Sequence, residues 1–283
     1  MPRSGREETG GLYCHVLNRG NARAEVFHDD RDYAGFVELL AKACNRVAMR
    51  IAAVCLMPNH FHLVVRPWAD GDLGRWMQWL MTSHVRRYHR RYGTSGHVWQ
   101  GRFKSFVVQS RWPSAAERAA GVVQTSDPVL EVVRYVERNP LRAGLVDRAE
   151  DWPWSSLHWW MQEALAKKGT GSAAQRRCLS PFSPSAAAAE MGTGTSAPRS
   201  ALRAAQNGSL PSQSPFPLVL DRPADWLETV NRPQTDEELA ALRQCLSRGR
   251  PFGSEAWVRQ IAHKLGAEST LRPRGRPRRP PKK

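Results

Sequence analysis

An α+β domain, an antiparallel sheet with helices packed on it, is the fold class this sequence predicts. Short β-branched runs alternate with longer runs of helical spacing, in the order β-α-β-β-α-β-α. The strongest turn signal, Met57-Pro58-Asn59, falls between two of the strand-like runs.

Residues 11–19 (Gly-Leu-Tyr-Cys-His-Val-Leu-Asn-Arg) read as the first strand. Over 31–48, Tyr33, Phe36, Leu39, Leu40 and Ala43 recur at spacings of three and four, which predicts a helix. Residues 50–56 and 60–66 are the two strands split by the turn. A second helix covers 72–92, with Trp76, Leu80 and Val85 on one side, and a fourth strand covers 102–109. A helix over 129–139 carries the apolar stripe Val129, Val132, Val133 and Val136, and it must stop near Asn139 because Pro140 disfavours helical geometry in the residue before it.

Composition narrows the partners. The 283 residues carry a net charge of +16, an excess that favours a polyanion, with nucleic acid the first candidate. The five cysteines are scattered without a CxxC pair, so neither a disulfide framework nor a zinc ribbon is supported. Cys14 and Cys55 lie in strand-like runs and read as core packing. No signal-like segment and no run of 18 apolar residues is present, so a cytoplasmic, nucleoid-associated protein without membrane contact is expected.

The chemistry centres on His60-Phe61-His62. Strand side chains alternate faces, so His60 and His62 project together while Phe61 enters the core. Two imidazoles on one face can share a divalent ion; the plainer reading is a half-buried strand with two surface histidines. The helix at 129–139 places Tyr135 and Asn139 four residues apart on one face. Asn139 can add a neutral oxygen ligand, and Tyr135 a nucleophile that needs activation, its ordinary pKa being near 10. A hard ion held by His60, His62 and Asn139 would polarise a phosphodiester, the logic of a phosphotyrosine-forming nuclease. Tyr88 and Tyr92 are rival nucleophiles. They sit among Arg86, Arg87, Arg90 and Arg91, where interleaved basic and aromatic residues suit a nucleic-acid backbone. His84, His89 and His97 read as surface or DNA-facing residues, and His15 as a possible neighbour of the site. The Trp-rich run 151–160 reads as packing over one end of the sheet.

His60-Phe61-His62 within Met57 to Val64, and Tyr135-Val136-Glu137-Arg138-Asn139-Pro140-Leu141-Arg142-Ala143-Gly144-Leu145-Val146, resemble the metal motif and tyrosine helix of the single-tyrosine HUH transposases. Asn18-Arg19-Gly20-Asn21, Val98-Trp99-Gln100-Gly101-Arg102-Phe103 and Trp152-Pro153-Trp154-Ser155-Ser156 narrow the resemblance to the REP-associated tyrosine transposases, over roughly residues 11–160. The resemblance implies a ferredoxin-like or RRM-like fold. It implies His60, His62 and Asn139 as ligands of Mg²⁺ or Mn²⁺. It implies Tyr135 as the residue that attacks single-stranded or hairpin DNA, repeat elements among the candidates, and keeps a 5′-phosphotyrosine, in a monomer or homodimer. The stretch 110–128 is longer than the family pattern and could displace the tyrosine helix. Two other classes compete: a domesticated DNA-binding protein that keeps the fold without catalysis, and an RRM-like RNA binder. The second would need exposed aromatics on the central strands, where this chain has histidines.

The remaining chain divides by composition. With the catalytic domain at 1–160, a disordered linker is expected at 161–216, rich in Ala, Ser, Gly, Thr and Pro. A small helical region at 217–270 follows, with helical stretches at 235–247 and 254–266. There Arg259 and Lys264 are candidates for phosphate contact. The tail, 271–283, holds five Arg and two Lys without an acid. Its Arg274-Gly275-Arg276-Pro277 resembles an AT-hook, whose arginines would enter a narrow minor groove.

Overall fold

The computed structural model describes residues 8–110, 127–169 and 220–272. Its strands are β1 (Tyr13–Arg19), β2 (Met49–Met57), β3 (His60–Pro67) and β4 (Lys104–Val108). They form one sheet in the order β2-β3-β1-β4, with every neighbouring pair antiparallel. The interleaved helices are α1 (Asp30–Arg46) and α2 (Asp72–Tyr92), so the first half of the chain is a βαββαβ unit of ferredoxin-like topology. The α+β expectation holds.

Local chemistry sets the element ends. The Asp29 side chain accepts from the backbone N–H groups of Arg31 and Asp32 at the start of α1. Gly93, in the left-handed region at φ 61°, closes α2. Helix α3 (Pro128–Glu137) begins with Asp127 accepting from Val129 N and with Pro128 in its first turn, where a missing N–H costs nothing. Gly20 is obligatory. A Cβ there would lie 2.2 Å from Ala24 O, and its N–H donates to Asn59 O, which ties β1 to the β2–β3 turn.

The sheet is covered on both faces. Phe61 and Leu63 turn toward α1 and α2, where Phe36, Trp76 and Leu80 are buried, and the Phe36 and Phe61 rings lie 5.2 Å apart. The opposite face takes α3, whose Val129, Val132, Val133 and Val136 are fully buried. The Trp-rich run closes the β2 edge. Leu56 N donates to Trp154 O, Trp152 Nε1 donates to Leu56 O at 2.8 Å, and Val54 N donates to Ser156 Oγ.

After a short helix α4 (Asn139–Arg142), helix α5 runs Ser156–Gly169. The linker boundary expected at 161 is therefore corrected. Residues 161–169 continue a helix whose start is pinned to β2 by Ser156, and the rest of the expected linker lies outside the described residues.

Residues 220–272 contribute α6 (Trp226–Asn231), α7 (Asp236–Arg248) and α8 (Glu255–Lys264). Helix α6 had no counterpart in the sequence reading. These residues are not a separate body: Leu220, Trp226, Val230, Leu242 and Ile261 belong to the same apolar core as the sheet. Phe252 pairs with β4, donating to Val107 O and accepting from Gln109 N. The segment also straps α3. Arg134 Nε donates to Thr229 O and Arg138 Nη1 to Val230 O, both at 2.8 Å. The fully buried Arg222 and Glu137 side chains form an ion pair, and Trp226 Nε1 donates to Glu137 Oε2 at 2.7 Å.

Candidate active site

His60 and His62 open β3 immediately after the tight turn at Pro58-Asn59. Pairing sets Arg19 of β1 opposite His60 and Leu17 opposite His62. The alternation then places His15, Arg19, His60 and His62 on the face that α3 covers. Phe61 points the other way, onto Phe36 and Trp99. The same-face expectation for the two histidines holds: their rings lie 5.1 Å apart.

Tyr135 projects from α3 onto this face. Its ring centre is 5.8 Å from that of His62 and 6.4 Å from that of His15, and it is buried. His62 Nδ1 and His15 Nε2 share a hydrogen bond at 2.9 Å, and His60 Nδ1 contacts Asn59 Oδ1 at 2.6 Å. His15, read from the sequence as a possible neighbour of the site, thus orients His62. Sequence alone could not set the β1–β3 register that joins them.

Asn139 does not sit on the tyrosine's helix. Helix α3 stops at Glu137 and Asn139 begins α4, because Pro140 has no N–H to offer Val136 O and the i→i−4 ladder cannot continue. Arg142 reconnects the two residues. Its guanidinium carbon lies 4.2 Å from the Tyr135 ring centre, and its Nη2 donates to Asn139 Oδ1. Arg142 was missed in the sequence because an arginine in a helix exit reads as a solvated charge. The expectation that the 110–128 stretch could displace the tyrosine helix is not met: α3 is seated on the sheet, while residues 111–126 lie outside the described residues.

Burial controls the charge of the imidazoles. Desolvation drives His60 down to about 3, helped by the positive charges of Arg19 and Arg142. Desolvation first, then the neighbouring His15 and His60, holds His62 well below its ordinary range. Both rings are therefore neutral at physiological pH, the state in which imidazole ligates metal. Hydrogen bonding fixes which nitrogen is available: if His62 Nδ1–H donates to His15 Nε2, its Nε2 lone pair is left for a ligand. This donor chemistry fits a small divalent cation at His60 and His62. The Asn139 oxygen, the third donor, is shared with Arg142. Among the described residues no group of three His, Cys, Asp or Glu side chains is disposed to hold a metal, so no carboxylate completes the set.

The other predicted residues fall into two groups. On α2, Arg87 pairs with Glu38, and Arg91 pairs with Asp29 and Asp32, so these two arginines fasten α2 to α1. Arg86 and Arg90 are exposed and, among the described residues, have no acidic partner. The rival tyrosines are engaged on that same side. Tyr88 OH contacts His28 Nε2, and Tyr92 OH donates to Asp32 Oδ2 at 2.6 Å. Burial and the Asp32 carboxylate raise the Tyr92 phenol above its usual value, which opposes a nucleophilic role. The surface reading of His84 is corrected. It is buried between Phe36 and Trp99 and, by desolvation, held neutral with a pKa near 3. His89 caps the end of α2 through Thr94 Oγ1 and Gly96 O, and Arg259 pairs with Glu255 one turn away. Arg274 and Arg276 lie outside the described residues.

Residues 8–118 match the family model described as Transposase IS200 like. This segment is similar to the IS200-like transposases. The match spans fewer than half of the 283 residues and ends ahead of Tyr135, so it covers the histidine motif and not the tyrosine. A Haemophilus influenzae protein provisionally described as a REP-associated tyrosine transposase is 24% identical over 161 residues, covering 53% of this chain and 81% of that protein. Two solved structures are similar. A REP-associated tyrosine transposase bound to a REP hairpin has 20% identity and a TM-score of 0.41, over 59% of this chain and 86% of that one. A provisionally described Deinococcus radiodurans transposase has 18% identity and a TM-score of 0.30, over 42% and 92%. The matched segment thus carries β1 to β4, and the tyrosine helix follows it in the chain.

Proposed function

We propose that the protein is a DNA endonuclease and strand transferase that cleaves single-stranded or hairpin DNA through a covalent 5′-phosphotyrosine at Tyr135. The observation that carries this reading is the convergence of Tyr135, from one helix, with His60 and His62, from one strand, on a single half-open face. REP-hairpin recognition by the structural relative makes a repeat hairpin the first substrate to try.

His60 and His62, with Asn139 as a third donor, would hold Mg²⁺ or Mn²⁺, which supplies charge neutralisation at a phosphate oxygen when bound. The Tyr135 oxygen attacks phosphorus. A bond from the tyrosine oxygen to phosphorus forms, and the bond from phosphorus to the 3′-oxygen breaks. The phenol gives up one proton and the leaving 3′-oxygen takes one up, so one phosphoester is exchanged for another and no ATP is consumed. Reversal with a different 3′-hydroxyl joins strands. Burial of the ring among His15, His62 and Arg142 restricts it to one orientation, which is the positional contribution the fold makes to the step.

The test is incubation with end-labelled hairpin DNA and Mn²⁺, followed by a denaturing gel. A protein–DNA adduct is expected from the parent, from Tyr88→Phe and from Tyr92→Phe. None is expected from Tyr135→Phe, or with EDTA. An adduct surviving in Tyr135→Phe refutes the choice of nucleophile. DNA binding without any adduct favours the competing reading, a DNA-binding protein without catalysis. That reading draws on Arg142, which occupies the Asn139 oxygen.

A further inference from the structure

We propose that Arg142 and Arg19, with the Asn139 amide nitrogen, form a receptor for a tetrahedral oxyanion beside Tyr135. Its natural occupant, which rests on the strand-cleaving reading above, is the phosphate under attack.

Three observations carry this. Arg19 Nε, Arg142 Nη1 and Asn139 Nδ2 are buried without a hydrogen-bond partner. All three are donors, and a buried donor left unmade is costly. What would satisfy them together is an acceptor with several oxygens. Secondly, they belong to one neighbourhood. Arg19 lies across from His60 in the β1–β3 ladder, and Arg142 stacks on Tyr135 while holding Asn139. Thirdly, two well-packed arginines elsewhere in the fold are paired with carboxylates, and these two are not. Arg222 has Glu137, and Arg91 has Asp29 and Asp32. Among the described residues neither Arg19 nor Arg142 has a carboxylate partner. Two guanidinium groups beside two neutral imidazoles make the pocket positive, and guanidinium matches phosphate geometry better than any other side chain.

The entry is short. His60, Arg19 and Arg142 are only half-buried, so part of each side chain beside the orphaned donors meets solvent. The Arg142 guanidinium carbon lies 4.2 Å from the Tyr135 ring centre, so an anion held by Arg142 sits beside the phenol.

The receptor is testable without metal or catalysis. Inorganic phosphate is titrated into the metal-free, full-length protein in EDTA, and the ring resonances of His60 and His62 are followed, with chloride at equal ionic strength as the control. A saturable phosphate-specific shift is expected. Arg142→Met and Arg19→Met should each weaken binding about tenfold or more, the worth of a charge-assisted hydrogen bond. Arg142→Lys should weaken it less, and Lys42→Ala not at all. Arg19 and Arg142 lie on different elements, so local collapse around one cannot mimic the loss of both; unchanged tryptophan indole resonances confirm that each variant is folded. Identical shifts with chloride, or equal affinity in parent and both Met variants, overturn the assignment. Phosphate binding with no adduct in the gel assay leaves the receptor standing and removes the cleavage reading. An adduct without phosphate coupling to Arg142 and Arg19 does the reverse.

Discussion

Arg222→Met tests whether the C-terminal segment truly holds the tyrosine helix. Arg222 and Glu137 are both fully buried side chains, and Glu137 lies two residues past Tyr135. Removing one partner of a buried ion pair costs about 3–5 kcal/mol, because the other charge stays desolvated. Glu137 would keep Ser156 Oγ at 2.6 Å and Trp226 Nε1 at 2.7 Å, which places the loss near the lower end, about 3 kcal/mol. At about 2–4 °C per kcal/mol for a fold of this size, the melting temperature should fall by roughly 6–12 °C. Urea unfolding followed by tryptophan fluorescence measures it. The double variant Glu137→Met/Arg222→Met should recover most of the loss, since no unpaired charge remains. Adduct yield in Arg222→Met should fall below that of the double variant. A single variant within about 0.5 kcal/mol of the parent would show that the pair is solvated, or the segment detached, in solution, and the strap argument would fail.

Stability should decline as the pH falls from neutrality. The folded values of His15, His60 and His84 are depressed to about 3, and that of His62 lies well below 6.5, in each case chiefly through burial. The folded state therefore binds fewer protons than the unfolded one between about pH 6.5 and 3. The stabilisation is complete above that window and is lost through it, by up to roughly 1.4 kcal/mol per pH unit for each histidine. A melting temperature constant from pH 7 to 5 would contradict this. Arg86→Ala and Arg90→Ala should each flatten the salt dependence of DNA binding, by up to about 0.9 in log–log slope and with little effect on stability. Arg91→Ala should instead destabilise the α1–α2 contact; the reverse pattern in filter binding and thermal melts would show that the assignment of these arginines is inverted. Deleting 272–283 should weaken duplex binding and leave nicking of a short single strand at saturation intact. A loss of nicking there would put the tail inside the catalytic machinery.

The sheet was legible because its signals are local. Alternation in 60–66 and the Pro58-Asn59 turn decide which face His60 and His62 share, and no distant residue is needed. Tyr135 was legible for the same reason, as part of a strongly amphipathic helix. Arg142 was not, and His15 was read only as a possible neighbour, because each acquires its role from register or from a break in a helix, and neither role leaves a mark in spacing. His84 was misread because a histidine beside a basic helix end looks solvated, whereas its position four residues after the buried Leu80 turns it inward. The union of 220–272 with the sheet could not be read across the intervening low-complexity stretch. It rests on buried arginine contacts to carbonyls, which have no sequence signature.

The strap has a consequence for how the protein is made. Translation delivers β1 to β4 and the tyrosine helix before Leu220, Arg222 and Trp226 leave the ribosome. During that interval Glu137 lacks its guanidinium and its indole donor, and Arg134 and Arg138 lack the carbonyls that receive them. A nascent chain would therefore carry its histidines in place and its tyrosine helix loosely held. Adding residues 220–231 becomes the step that fixes the helix bearing Tyr135. A frameshift or premature stop between 169 and 220 would leave the sheet and the Tyr135 helix complete but without the contacts of Arg222 and Trp226 to Glu137.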